Sequence, residues 1–166
     1  GALMRTVVLL LAAVLMGACG KEPARNLNIG DIAPTFQTVR VDGMPAHFPA
    51  AWANRPVVIR FWADWCRFCE GEMKAIDAVY RRHKANGIEV IAVNAGQDRK
   101  TVAAFMARLG VGYPALLDED STIAKRYGVV GLPTTFFVDA KGVVRGKIVG
   151  EADEAAFERA VLGLLP

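Results

Sequence analysis

Two apolar runs constrain this chain more than any other feature. "PVVIRFW" covers 56–62 and "IEVIAVNA" covers 88–95. Neither alternates polar and apolar residues as a strand with one wet face does. A near-continuous apolar strand is covered on both faces, so it belongs to a sheet sandwiched between other layers. Between the runs, Met73, Ile76, Val79 and Tyr80 recur at helical spacing, and Gly87 supplies a stop. The spacing predicts a helix over 67–86. Strand, helix and strand make a βαβ unit with a right-handed crossover.

The flanking sequence completes an α/β domain. Val39, Arg40 and Val41 ahead of Asp42-Gly43 predict a short hairpin leading to Phe48. A second helix is predicted over 101–109, with Val102, Phe105, Met106 and Leu109 on one face, then a short strand over 115–117. Ser121 is placed to cap a short helix running to Tyr127. "LPTTFFVD" reads as a strand opened by Pro133, Ala140-Lys141-Gly142 as a turn, and 143–149 as its antiparallel partner. A last helix is predicted over 153–164. The expected architecture is a three-layer α/β/α sandwich with a mixed sheet. A chain of 166 residues suits one such domain. It buries about 70% of its unfolded surface without disulfide staples, so its cysteines are free for chemistry.

The N-terminus reads as a targeting segment. Arg5 precedes an uncharged apolar stretch, Val7 to Met16. That is too short for a membrane-spanning helix, which needs about 20 apolar residues, and right for the core of a signal peptide. The stretch ends in "LMGACG", where Gly17 and Ala18 directly before Cys19 resemble the lipobox of bacterial lipoproteins. That resemblance implies cleavage ahead of Cys19 and a lipid on its thiol. The alternative is a plain secretory signal with an incidental cysteine. The expected organisation is a signal peptide with lipobox over 1–19, a polar tether over 20–28 and a folded domain over 29–166. Either signal places the domain outside the cytoplasm, where disulfides persist. The formal charge of +3 falls to +2 without Arg5, too small to make nucleic acid a partner.

With Cys19 assigned to a lipid, two of the three cysteines remain, Cys66 and Cys69 in "FWADWCRFCE". They follow the first buried strand at the start of its helix. A cysteine there feels the helix dipole and the unpaired backbone N–H groups, which favour the nucleophilic thiolate. Cys66 would attack a partner disulfide, and Cys69, one turn on, would resolve the mixed disulfide. Arg67 adds a positive charge beside the nucleophile and lowers its pKa further. A closed zinc site needs four ligands. No second cysteine pair exists, and neither His47 nor His83 shows ligand spacing with the first; His83 falls on the polar side of its helix. No metal is therefore expected. A purely structural bridge across so small a loop would constrain little of the unfolded chain.

"FWADWCRFC" followed by "GVVGLPTTFFVDAKGVV" resembles the thioredoxin superfamily. Within it the chain is similar to the TlpA/ResA branch of membrane-tethered, extracytoplasmic thiol-disulfide oxidoreductases. The resemblance runs from Ile29, where "IGDIAPTF" matches the branch's opening, to the C-terminus. It identifies the helix and strand over 101–117 as the branch's central αβ insertion. It implies that Pro133 is a cis-proline facing the cysteines, with the Leu132 backbone pairing a bound client. Trp65, Arg67 and Phe68 would flank that client, whereas Trp62 reads as core, and Trp52 and Phe48 pack the N-terminal segment. Glu72 stands where the ResA type carries a glutamate near the site. Two readings of it stay open: a carboxylate that shuttles the buried sulfur's proton, or a first-turn glutamate favoured by the helix dipole.

The sequence departs from the branch in particular places. Arg60, six residues before Cys66, stands where relatives carry aspartate or asparagine. A buried arginine must be paired, and Glu72 is the expected partner. Phe68 stands where many relatives carry proline. Asp64 reads as a surface charge at a helix end. The expected function is reduction of disulfides in client proteins, of the cytochrome c maturation or copper-site assembly type. The couple has no cofactor beyond its own disulfide. A membrane electron-transfer protein would recharge it, and nothing demands more than a monomer. A disulfide-forming oxidant and a Cu(I)-binding chaperone are alternatives. A peroxidase ranks below them, because Ala63 occupies the position where peroxiredoxins need threonine.

Overall fold

The computed structural model describes residues 26–166. The predicted signal peptide, the lipobox with Cys19, and the tether up to Arg25 lie outside those residues. β1 (Phe36–Val39) and β2 (Pro45–Phe48) form the expected hairpin. Its turn is closed by Gly43 at φ +87°, a conformation that favours glycine. β3 (Val57–Trp62) is buried at all six positions. α1 (Cys69–His83) crosses to β4 (Glu89–Ala95), which runs parallel to β3. α2 (Arg99–Leu109) and β5 (Ala115–Asp118) follow, then α3 (Thr122–Arg126), β6 (Thr134–Val138), β7 (Val144–Val149) and α4 (Glu154–Leu162). The main sheet has the order β5-β4-β3-β6-β7, with β6 antiparallel to both neighbours.

Strand alternation divides the core. Val58 and Trp62 point to one face, where Met73, Ile76, Phe105, Phe157 and Val161 from α1, α2 and α4 cover them. Val57, Ile59 and Phe61 point to the other, under Phe36, Phe48, Trp52, Ile123 and Tyr127. The N-terminal hairpin and α3 therefore serve as the second outer layer. Trp62 is core, as expected; its ring centroid lies 4.7 Å from that of Phe105.

Several local expectations are corrected. α1 begins at Cys69, two residues later than its spacing suggested, because a turn precedes it: Cys66 N–H bonds Ala63 O at 3.2 Å, and Cys69 N–H bonds Cys66 O at 3.1 Å. Ser121 occupies the N-cap position of α3 with φ +60°, but its hydroxyl makes no cap bond. Asp118, at the end of β5, does that work by accepting from Ile123 N–H and Ala124 N–H, each at 2.9 Å. His83 is not solvated; its Nε2 lies 2.8 Å from Glu158 Oε1, joining α1 to α4 beside the Arg82–Glu158 ion pair. The ordered domain also reaches further back than Ile29. Leu27 is 2% exposed within the hairpin-side core, and Lys147 Nζ donates to its carbonyl at 3.0 Å. One apolar side chain in a polar stretch thus extends the domain into the predicted tether.

Leu27→Ala is expected to lower unfolding stability by about 2–5 kcal/mol, the usual cost of truncating a buried leucine. Urea titration of the domain measures it. A change under about 0.5 kcal/mol, the range of an ordinary surface substitution, would place Leu27 outside the core.

Candidate active site

β3 delivers the chain out of the sheet at Trp62, and α1 takes it back at Cys69. The cysteine pair lies on the turn between them. Cys66 and Cys69 are joined by a disulfide with Cα atoms 5.3 Å apart. Their accessibilities differ in the way sequential attack requires: Cys66 is 8% exposed and Cys69 is 0%. Only Cys66 meets solvent. Two large apolar side chains stand exposed beside it. Trp65 is 69% exposed and Phe68 is 43% exposed. The Arg67 guanidinium lies 5.5 Å from the centre of the Phe68 ring, so part of its charge is spent on that face.

The Leu132–Pro133 bond is cis. β6 starts at Thr134, which pairs with Phe61 near the end of β3. This register brings the cis-proline loop to the sheet end from which the cysteine turn emerges. Pro133 is buried and Leu132 half-buried, and Pro133 O accepts from Gly150 N–H at 2.9 Å. A second cis bond, Phe48–Pro49, follows β2; no residue pattern had marked it.

Beneath the turn lies a buried ion pair. Arg60, on β3, is 0% exposed and reaches across to α1, where its Nη2 donates to Glu72 Oε2 at 2.6 Å. Its Nη1 donates to Thr135 Oγ1 on β6 at 3.1 Å, and its guanidinium lies 5.6 Å from the Phe157 ring centre on α4. The other Glu72 oxygen, Oε1, accepts from Ala152 N–H at 2.6 Å. Burial lowers the Arg60 pKa, and the hydrogen bond and charge of Glu72 raise it back only in part; an arginine stays protonated under such shifts. Nearby, Tyr113 donates its hydroxyl to Met73 O at 2.6 Å, and burial pushes its phenol well above the ordinary range. The pairing of Arg60 with Glu72 was legible in the sequence. The Ala152 amide was not, because a backbone N–H carries no residue signature.

Asp64 is a surface residue, as expected, but it is not a helix-end charge. It precedes α1 by five residues and bonds Gln97: its N–H donates to Gln97 Oε1 at 2.8 Å, and its carboxylate accepts from Gln97 Nε2. Gln97 also accepts from Asn94 Nδ2 at 2.9 Å. The turn is thereby tied to the end of β4. Among the described residues no cluster of three or more His, Cys, Asp or Glu is placed to hold one metal ion.

Residues 29–147 match the AhpC/TSA family. The chain belongs to that family. Within it the chain is similar over nearly its whole length to thiol-disulfide oxidoreductases called ResA. One, from Geobacillus kaustophilus, is 32% identical over 98% of this chain and 95% of its own. Another, from Geobacillus thermodenitrificans, is 34% identical over 89% and 86%. A solved thiol:disulfide interchange protein of the thioredoxin family from Chlorobium tepidum superposes with a TM-score of 0.73 at 28% identity, covering 84% of this chain and 99% of that one. The fold is thioredoxin-like, and the chain is a thiol-disulfide oxidoreductase of the ResA type.

The difference in exposure makes a direct prediction. After reduction, brief treatment with iodoacetamide at neutral pH is expected to label Cys66 and leave Cys69 free, as read by mass spectrometry of the peptides. Equal labelling of both would contradict the division of roles.

Proposed function

We propose that this protein reduces disulfides in client proteins outside the cytoplasm, using Cys66 as nucleophile and Cys69 as resolving thiol. The observation that carries the reading is the site itself: Cys66 keeps a small exposure of 8%, Cys69 has none, and the large apolar side chains of Trp65 and Phe68 stand exposed beside them. In the first step the Cys66 thiolate attacks one sulfur of a client disulfide. The client S–S bond breaks, a mixed disulfide forms, and one client thiolate leaves. In the second, Cys69 loses its proton and attacks the Cys66 sulfur. The Cys66–Cys69 disulfide forms and the second client thiolate departs. Two electrons pass to the client, whose two thiolates take up protons.

The cis-proline loop fits a docking role in this scheme. The Leu132 backbone, just ahead of β6, would pair with an extended client segment while Trp65, Arg67 and Phe68 contact its side chains. Recharging the oxidised enzyme requires a dithiol donor, for which a membrane electron-transfer protein is the class we propose. A lipid on Cys19 would hold the domain near that donor and raise its local concentration. Among the described residues no helix is long and apolar enough to cross a membrane. Clients that need reduced cysteines before receiving haem or copper suit such an enzyme.

The test is trapping. Cys69→Ser should accumulate a mixed disulfide with a disulfide-bearing peptide, visible as an adduct on a non-reducing gel and released by dithiothreitol. Cys66→Ser should form none, and its reductase activity toward insulin should fall to background. Equal trapping by the two variants, or activity retained in Cys66→Ser, would remove this mechanism.

A further inference from the structure

Arg60 stands on the central strand, on the same face as Val58 and Trp62, where strand periodicity calls for an apolar side chain. Its charge is taken up by a carboxylate one helical turn beyond the resolving cysteine. Residues three apart on a helix are neighbours on its surface, so Glu72 lies beside Cys69. Both oxygens of Glu72 face donors: the Arg60 guanidinium at 2.6 Å and the Ala152 amide at 2.6 Å. That is the arrangement an ionised, acceptor-only carboxylate needs. If Glu72 took a proton from Cys69, the fully buried guanidinium would lose its counter-charge, which is costly in such surroundings.

We propose that Arg60 is a positioning residue for thiol-disulfide exchange: by clamping Glu72 as its counter-ion, it presents the buried cysteine with a neutral pair in place of a free proton acceptor. The proposal rests on the reading of Cys66 and Cys69 as the reacting pair. It assigns Glu72 a part different from that of a proton shuttle, and it assigns Arg60, a residue with no chemistry of its own at the sulfur, control over how readily the thiols ionise. The other ionisable groups near this level do not compete. Tyr113, packed from the segment before β5, is buried and held to Met73 O. Glu70 on α1, and Glu151 and Asp153 ahead of α4, are exposed, where solvent screens them; Arg67, also exposed and next to Cys66, adds the same charge in every variant compared.

A charge cycle tests this through the pH dependence of Cys66 alkylation in the reduced domain. Glu72→Gln leaves the guanidinium without its counter-charge at the first turn of α1, which carries Cys69, and should favour the thiolate. The midpoint should fall by about one pH unit, with alkylation on the acid limb about tenfold faster. Arg60→Met leaves the carboxylate unpaired and should shift the midpoint about as far upward. The double variant removes both charges and should return to within about threefold of the wild-type rate, since half a pH unit is about threefold. Arg60→Lys keeps the charge and should stay near wild type. Arg60→Met is the variant most at risk of not folding; Glu72→Gln and the double variant then carry the test.

A proton shuttle predicts something else: insulin reduction equally impaired in Glu72→Gln and in the double variant, with Arg60→Met unimpaired. That result, or variants whose profiles superimpose on the wild type, would overturn the role of Arg60. A wild-type Cys66 whose alkylation showed no pH dependence would instead overturn the reading of Cys66 as nucleophile.

Discussion

A fully buried arginine on the central strand has to be answered, and much of the layout around the cysteines follows from how it is answered. Arg60 reaches Glu72 on α1 and Thr135 on β6, and Glu72 in turn holds the Ala152 amide ahead of α4. Four parts of the fold meet through two side chains. Removing one partner of such a pair costs about 3–5 kcal/mol, whereas replacing both with apolar groups is often neutral. The pair is therefore weak as a source of net stability and strong as a constraint. It sets where the first turn of α1 sits relative to the sheet, and that turn carries Cys69.

The sheet does the remaining positioning. Because β3 is covered on both faces, its end is fixed from both sides, by Trp62 against Phe105 and by Phe61 against Tyr127 and Phe136. The cysteine turn leaves from that end, and β6, running the other way, starts there with its cis-proline. The Asp64–Gln97–Asn94 hydrogen bonds anchor the turn to β4. Two hydrogen-bonded neighbours of one strand and the first turn of one helix thus converge on the turn that holds the Cys66–Cys69 pair.

Most of this architecture was legible in the residues. The apolar runs marked β3 and β4, the helical spacing marked α1, and the Cys66–Cys69 spacing at the junction marked the chemistry. Arg60 itself signalled its pairing, because a buried guanidinium admits few partners and Glu72 was near. Other features were not legible, for identifiable reasons. Leu27 is one apolar residue in a polar stretch, and no periodicity distinguishes it from a tether residue. Asp118 takes the capping role from Ser121 because the short turn after β5 brings its carboxylate to the start of α3, whereas the local pattern marks only the residue next to the helix. His83 and Glu158 are far apart in sequence, so the polar face of α1 looked solvated until α4 was placed against it. The Asp64–Gln97 contact was hidden for the same reason.

A client reductase is defined by the direction in which its cysteine couple moves electrons. The reduction potential of Cys66–Cys69, measured by equilibrating the domain with glutathione or dithiothreitol buffers, reads that direction. A dedicated reductant is expected at or below about −250 mV, in the range of thioredoxin. A value near about −120 mV, that of a strong disulfide donor, would contradict the account and turn the same residues to disulfide formation.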